Sequence, residues 1–318
     1  MNITELAKAF DLKKDQPLSG LSWLRTGGAA DWFFQPKDEA ELTEFLKACP
    51  RDIPLFPMGV GSNTIFRDGG VEGVVIRLGR AFMNLEILDE TRVHVGAAML
   101  DAMLSRKAAD AGIDLTFLRT IPGAIGGAIA MNAGCYGSYV ADITEEIHIL
   151  TRDGDRQILR GNDVQFDYRY THLPEGCVIL GAIFKGEVGE PAVLHASMED
   201  ALAKREASQP TKERSCGSTF RNPVGHSSTG AENEDHSLKA WKVIDDAGLR
   251  GATIGGAQMS EMHPNFLINT GKATSYDLEA LGEHVRETVR VQSDIELTWE
   301  IRRVGRFGEN QTPAWKIS

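Results

Sequence analysis

Ile121-Pro122-Gly123-Ala124-Ile125-Gly126-Gly127-Ala128-Ile129-Ala130-Met131-Asn132-Ala133-Gly134-Cys135-Tyr136-Gly137 decides the reading of this chain. Eight of the twelve residues 123–134 are Gly or Ala. Such a run cannot fill a core by side-chain volume. It serves close approach, either of backbone to backbone or of backbone to a flat ligand. A helix–strand contact that needs small residues satisfies the pattern as well as a ligand-facing loop does.

Length and composition bound what surrounds it. A chain of 318 residues holds two domains, or three small ones, with enough material for buried cores. No apolar run reaches the length of a membrane span. The start, Met1-Asn2-Ile3-Thr4-Glu5-Leu6, lacks the basic and apolar regions of a signal peptide, so a cytoplasmic protein is expected. A formal charge of −11 argues against a nucleic-acid surface but leaves room for local cations on an anionic small ligand. Cys49, Cys135, Cys177 and Cys216 are far apart and form no C-x-x-C pair, so reduced thiols and no metal site are expected.

Local patterns place the elements. Residues 3–10 and 38–48 have helical spacing, the latter with Asp38 as N-cap. Residues 55–58 and 71–78 read as strands, and 99–111 as a helix stopped by Gly112. Residues 146–151 and 178–184 are strands, with an Asp153-Gly154 turn after the first. Residues 193–206 form a helix that also links domains. Residues 225–235 read as a mobile polar surface loop. Residues 238–247 form a helix stopped by Gly248, 265–269 a strand, 275–292 a long helix with Asp277 in its first turn, and 295–304 the last strand.

Three short stretches carry chemistry. Gly59-Val60-Gly61-Ser62-Asn63-Thr64 follows a strand, and its glycines expose consecutive backbone N–H groups beside three polar side chains. That suits a phosphate, although a plain hairpin turn would look the same. No helix pattern follows, so it is not a dinucleotide fingerprint. Phe166-Asp167-Tyr168-Arg169-Tyr170 holds an Arg among aromatics. Gly217-Ser218-Thr219-Phe220-Arg221-Asn222-Pro223 gathers a hydroxyl, a cation and an amide in a turn, without the spacing of a nucleophile elbow. His94 and His148 lie in strands with no motif around them and read as structural.

Gly59-x-Gly61-Ser62-Asn63, Ile121-Pro122-Gly123-x-x-Gly126-Gly127, Asn132-Ala133-Gly134, Tyr168-Arg169, Gly217-Ser218-x-Phe220-Arg221-Asn222-Pro223 and Glu300-Ile301-Arg302-Arg303-Val304-Gly305 occur in this order. Together they resemble the UDP-N-acetylenolpyruvoylglucosamine reductase family, over about residues 21–305. The resemblance implies an α+β protein. Its FAD-binding domain would be of the vanillyl-alcohol-oxidase type, with two α+β subdomains, and a C-terminal α+β domain would bind substrate. The expected ranges are 1–20 for an N-terminal helix and lead-in, 21–80 and 81–205 for the two FAD-binding subdomains, and 206–318 for the substrate domain.

The family implies FAD as cofactor, NADPH as co-substrate, and UDP-GlcNAc-enolpyruvate as substrate, in a cytoplasmic monomer that makes peptidoglycan precursor. Hydride would reach the enolpyruvyl carbon C3 and a proton C2. Gly59, Val60, Gly61, Ser62, Asn63, Thr64, Ile121, Pro122, Gly123, Gly126, Gly127, Asn132 and Gly134 match the cofactor-binding motifs. Arg169 matches the Arg that draws charge into the carboxylate, and Ser218 the proton donor to C2. Glu300 matches an acid that helps the enolate only if it is protonated. Tyr168, Arg221 and Asn222 would contact substrate, and His263 and Lys272 are candidates for the nucleotide part.

Thr171 stands where the family motif has Ser two positions after the Arg. No long Tyr-bearing insertion is present, which places the chain with the shorter branch. Two rival readings stay open in the sequence. An FAD oxidase of the same superfamily would often attach flavin through a His near the first loop, and none lies between Phe56 and Gly79. A non-catalytic nucleotide-binding module would not need Ser218, Arg169 and Glu300 together.

Overall fold

The structure is a computed structural model that describes residues 2–229 and 233–313. The chain packs as two units made of interleaved segments. The first comprises Met1–Lys14, Trp32–Gly59 and Gly73–Ala203, and the second Asp15–Asp31, Val60–Glu72 and Lys204–Ser318. This division runs differently from the contiguous ranges 1–20, 21–80, 81–205 and 206–318.

The first unit has two cores. In one, the helices Ile3–Ala9 and Glu39–Ala48 lie with the parallel strands Leu55–Met58 and Val71–Arg77. Both helices start where side chains answer the first N–H groups. Asn2 and Glu5 form a capping box, and Asp38 Oδ1 accepts from Glu41 N at 2.8 Å. Leu42, Phe45 and Leu46, at helical spacing, are buried, and Phe45 meets Phe34 with ring centroids 4.4 Å apart. The second core is an antiparallel five-stranded sheet, in the order Arg156–Arg160, Thr144–Leu150, Val178–Lys185, Arg92–Gly96, Leu85–Ile87. The helices Asp101–Asp110 and Ile125–Ala130 pack on it. His94 and His148 stand in its strands with rings 5.1 Å apart, and His148 meets Glu146.

The second unit is a four-stranded antiparallel sheet, in the order Ser215–Ser218, Phe266–Asn269, Ala257–Met259, Thr253–Ile254, with the helices Ala240–Asp246 and Ser275–Ser293 in its core. Thr274 and Asp277 cap the long helix, and Asp68 accepts from the N–H groups of Ser275 and Tyr276 at 3.0 Å each. Thr64–Phe66 pairs in parallel with Arg302–Val304.

Two expectations need correction. The last strand spans only Arg302–Val304, and before it the chain pairs through a single bridge, Phe220 to Trp299. Its alternation is real, with Leu297, Trp299 and Ile301 buried, but no neighbouring strand runs long enough to make a ladder. The 225–235 segment is also not simply a surface loop. Ser227 is buried, and the Glu234 carboxylate lies 2.7 Å from the ammonium of Lys239, which is fully buried. Residues 230–232 of that segment lie outside the described residues.

The four cysteines are free, and burial pushes the thiols of Cys177 and Cys216 up to about 11 and about 12. No helix among the described residues is long and apolar enough to cross a membrane.

Asp101 is fully buried at the start of its helix, and neither carboxylate oxygen has a hydrogen-bond partner among the described residues. Burial raises its pKa well above the usual carboxylate value. A raised folded-state pKa means that the native state holds the proton longer than the unfolded chain does. Stability is therefore lost as pH rises above the unfolded value of about 4. Asp101→Asn is expected to raise the melting temperature more at pH 8 than at pH 4, as read by calorimetry at both pH values.

Candidate active site

The glycine-rich stretch folds onto the turn between the strand Arg92–Gly96 and the helix Asp101–Asp110. Gly126 N donates to Ala97 O and Ile125 N to Met99 O, both at 2.9 Å, and Leu100 bridges Ala124. A Cβ on Gly126 would stand 3.1 Å from that of Ala97, and one on Gly134 would strike the Tyr139 ring at 2.4 Å. Gly127 and Gly59 are different: where their Cβ atoms would stand there is open space. The set divides, position by position, into glycines crowded by protein and glycines that face open space.

Arg169 sits beside that stretch. It occupies the tip of the hairpin joining Phe166–Asp167 and Tyr170–Thr171, with a left-handed φ of 62°. For a side-chain-bearing residue that conformation costs about 1–2 kcal/mol. Its guanidinium lies over the Tyr168 ring at 5.0 Å and donates through Nη2 to Gly134 O at 3.2 Å. Asn132 fastens the same hairpin, with Nδ2 donating to Asp167 O at 3.1 Å while Oδ1 accepts from Ala141 N. The Thr171 hydroxyl is buried and donates to Ile129 O, so it ties the hairpin to the glycine-rich helix. Ile121 and Pro122 lead into that helix.

In the second unit, Ser218 lies on an irregular strand. Ser215 is paired with Ile268 and Ser218 with Phe266, an advance of three residues against two. The extra residue makes a β-bulge, which bends a strand and re-aims its side chains. Gly217 supplies the left-handed φ of 77°. Asn265, which no sequence motif marks, holds the two residues after Ser218. Its O accepts from Thr219 N at 2.7 Å, its Oδ1 from Phe220 N at 3.0 Å, and its Nδ2 donates to Phe220 O at 2.9 Å. Phe220 lies 45 residues away along the chain, so no local signal points to Asn265.

Glu300 is brought to the Ser218 segment. Glu300 N donates to Thr219 O, and Arg221 N to Thr298 O, both at 2.8 Å. Asn63 joins them, with Nδ2 donating to Glu300 O at 3.2 Å and its carbonyl accepting from Arg302 N. The Val60–Thr64 part of the first loop is thus partly committed to protein. A Cβ on Gly61 would meet Leu21 O at 2.6 Å, and Thr64 begins the parallel strand. Asn222 orders the loop after it, with Nδ2 on His226 O at 2.9 Å and Oδ1 accepting from Ala240 N at 3.1 Å.

His263 packs against Trp241 and Phe266, with ring centroids 6.5 and 4.7 Å away. Burial, with a smaller push from Arg250, pulls its pKa down to about 4. It is neutral at pH 7 and brings no charge to a diphosphate. Lys272 is exposed on the turn before the long helix.

This geometry belongs to a recognisable class. A profile of the FAD binding domain family matches residues 30–160, and the chain is an FAD-dependent oxidoreductase. A second profile, UDP-N-acetylenolpyruvoylglucosamine reductase, C-terminal domain, matches residues 209–304. Over 294 residues the chain is 60% identical to the UDP-N-acetylenolpyruvoylglucosamine reductase of Roseobacter denitrificans, covering 92% of this chain and 95% of that protein. It is 59% identical over 295 residues to the enzyme of the same name from Paracoccus denitrificans, covering 93% and 96%. It also superimposes on the crystal structure of the reductase from Thermus caldophilus, with a TM-score of 0.78 and 29% identity, covering 92% and 99%. The chain belongs to the UDP-N-acetylenolpyruvoylglucosamine reductase family, the UDP-N-acetylmuramate dehydrogenases. The resemblance and the α+β fold class drawn from the six motifs stand.

A group such as FAD would meet no protein atom within 4 Å of an added Cβ at Gly59 and Gly127. The open positions at Gly59 and Gly127 are where close approach of a flat or phosphate-bearing group needs no side chain.

Asn265→Ala leaves the buried N–H and C=O of Phe220 without partners. It is expected to cost about 2–4 kcal/mol, seen as a lower urea midpoint. Lys272→Ala, on an exposed turn, is expected to stay within about 0.5 kcal/mol of the parent.

Proposed function

We propose that the protein reduces the enolpyruvyl group of UDP-GlcNAc-enolpyruvate to UDP-N-acetylmuramate with electrons from NADPH. FAD, when bound, would supply the hydride-transfer chemistry between NADPH and the enolpyruvyl group. Gly59, Val60, Gly61, Ser62, Asn63 and Thr64, with Ile121, Pro122, Gly123, Gly126, Gly127, Asn132 and Gly134, hold the cofactor.

The chain's own residues handle the charge and the proton. Hydride arrival at C3 leaves negative charge at C2, shared with the carboxylate. Arg169 binds that carboxylate and draws the charge into it, the role a guanidinium fork suits. Its left-handed backbone is the kind of cost that persists where position matters. Ser218 gives its hydroxyl proton to C2 and is reprotonated from solvent, so one hydride and one proton add across the double bond. Glu300 in its protonated form stabilises the enolate as it develops. Tyr168 steadies Arg169, and Arg221 neutralises a phosphate. Asn222 frames the substrate loop, His263 offers an uncharged ring, and Lys272 serves the diphosphate from the exposed turn.

The observation that carries this reading is the pairing of the Ser218 and Glu300 segments, fixed by the 2.8 Å bond from Glu300 N to Thr219 O. A general acid and an enolate stabiliser are useful only when held together. On this reading the enzyme works in the cytoplasm as a monomer and supplies peptidoglycan precursor, on which cell shape and division depend.

The test is an anaerobic absorption experiment. The flavin band is expected to bleach with NADPH and to return with UDP-GlcNAc-enolpyruvate. A band that returns only with oxygen would mean an oxidase, and no flavin after reconstitution would end the assignment. Ser218→Ala is expected to leave bleaching intact and slow the return by about 10²–10⁴-fold. A return at the parent rate would remove Ser218 as proton donor.

A further inference from the structure

Besides its backbone partners, the segment that carries Glu300 is held by a carboxylate. On the helix Ser275–Ser293, Gly282 makes room for the Trp299 indole, because a Cβ there would stand 2.1 Å from the ring. The next residue, Glu283, has its side chain 10% exposed. Its Oε1 accepts from Trp299 Nε1 at 2.8 Å and from Arg303 Nη1 at 2.7 Å, and its Oε2 from Arg286 Nη1 at 2.7 Å. Arg286 Nε in turn donates to Leu297 O at 2.8 Å. Neighbouring turns of one helix therefore hold residues 297, 299 and 303.

Alternation does the rest. With Leu297, Trp299 and Ile301 buried, Thr298 and Arg302 are exposed and Glu300 lies between these extremes. The Trp299 ring also meets Phe220 at 5.1 Å, two residues after Ser218, and carries the Arg303 guanidinium at 4.6 Å. Glu283 thus answers two unlike donors, an indole N–H and a guanidinium, on either side of Glu300. No apolar side chain could satisfy both, and each would be left withdrawn from water. Burial disfavours the charge on Arg303, and Glu283 offsets that.

We propose that Glu283 is a positioning residue for reduction of the enolpyruvyl substrate, fixing the register of residues 297–303 and through it the placement of Glu300 and Ser218. The inference rests on the reading of those two residues as reacting groups.

The test uses the FAD-loaded full chain and follows the two half-reactions separately by stopped flow. Glu283→Ala is expected to slow reoxidation by UDP-GlcNAc-enolpyruvate about 10–100-fold at saturating substrate, the effect of a displacement of about 1 Å. Bleaching by NADPH should stay within about twofold. Glu283→Gln keeps an acceptor for the indole N–H and should recover part of the loss. Reoxidation at the parent rate in Glu283→Ala, or an equal slowing of both half-reactions, overturns the proposal. If that variant does not hold FAD, Trp299→Phe decides, since it keeps the ring and loses the donor. Severalfold slower reoxidation supports the proposal, and a parent rate overturns it. Glu300→Gln separates the two readings. Unimpaired reoxidation there removes the role of Glu300 itself, whereas slow reoxidation there with a normal Glu283→Ala removes only the positioning role.

Discussion

The first unit depends on one close approach. Backbone N–H groups of residues 125 and 126 reach the carbonyls of Met99 and Ala97, in the turn after the strand Arg92–Gly96, and at Gly126 a side chain would be crowded. Gly126 lies 3.1 Å, measured from an added Cβ, from the Cβ of Ala97. A larger residue there would crowd Ala97, and the glycine-rich helix carries attachments of its own. Those attachments are the Thr171 hydroxyl on Ile129 O and the Arg169 guanidinium on Gly134 O. The position of Arg169 is thus inherited from a packing requirement some forty residues before it in the chain. A buried backbone donor must find an acceptor, and here the acceptors fix where the helix can sit.

The second unit solves the converse problem. Its final segment has no long strand to pair with, so side chains supplement its few backbone partners. Asn265 substitutes for a strand neighbour along Thr219 and Phe220, Asn63 for one along Glu300 and Arg302, and Glu283 takes the indole and the guanidinium. Such networks are stabilising only when every member is satisfied, and then they specify one arrangement. Glu279 obeys the same pattern a turn before Glu283 on the helix. Burial raises its pKa, and Arg67 opposes that rise through the pair between them.

What is legible in the sequence is what is local. Asp38 at the start of a helix, and Gly112 and Gly248 with left-handed φ just past the ends of two others, act within a few residues of their positions. The motifs that nominate Ser218, Arg169 and Glu300 are readable for the same reason. The glycine-rich run is readable as close approach but not as to what, because Gly126 and Gly127 look alike in sequence and differ only in what faces them. The bulge at Gly217 reads as a turn, since a bulge is a relation between two strands and one strand does not announce its partner. Asn265 and Glu283 escape a reading of the sequence because their partners lie 45 and 16–20 residues away. The face with Glu296, Thr298 and Glu300 has the alternation of any solvated strand edge, and the Thr219 and Asn63 contacts mark Glu300 as different.

Both Arg169 and Ser218 stand on irregular backbone, which bears on why those residue types are there. At the hairpin tip, glycine would adopt the left-handed conformation of Arg169 without cost. An arginine in its place accepts a penalty that nothing in the hairpin's own pairing requires. The contacts of the guanidinium with Tyr168 and Gly134 help to hold that conformation. Ser218 shows the same logic in another form. A regular strand would pair Cys216 and Gly217 in step with the residues beside Ile268 and Phe266. The bulge gives up that pairing and shifts the register between Ser215 and Ser218 by one residue. In each case the surrounding hydrogen bonds make the irregular state the stable one.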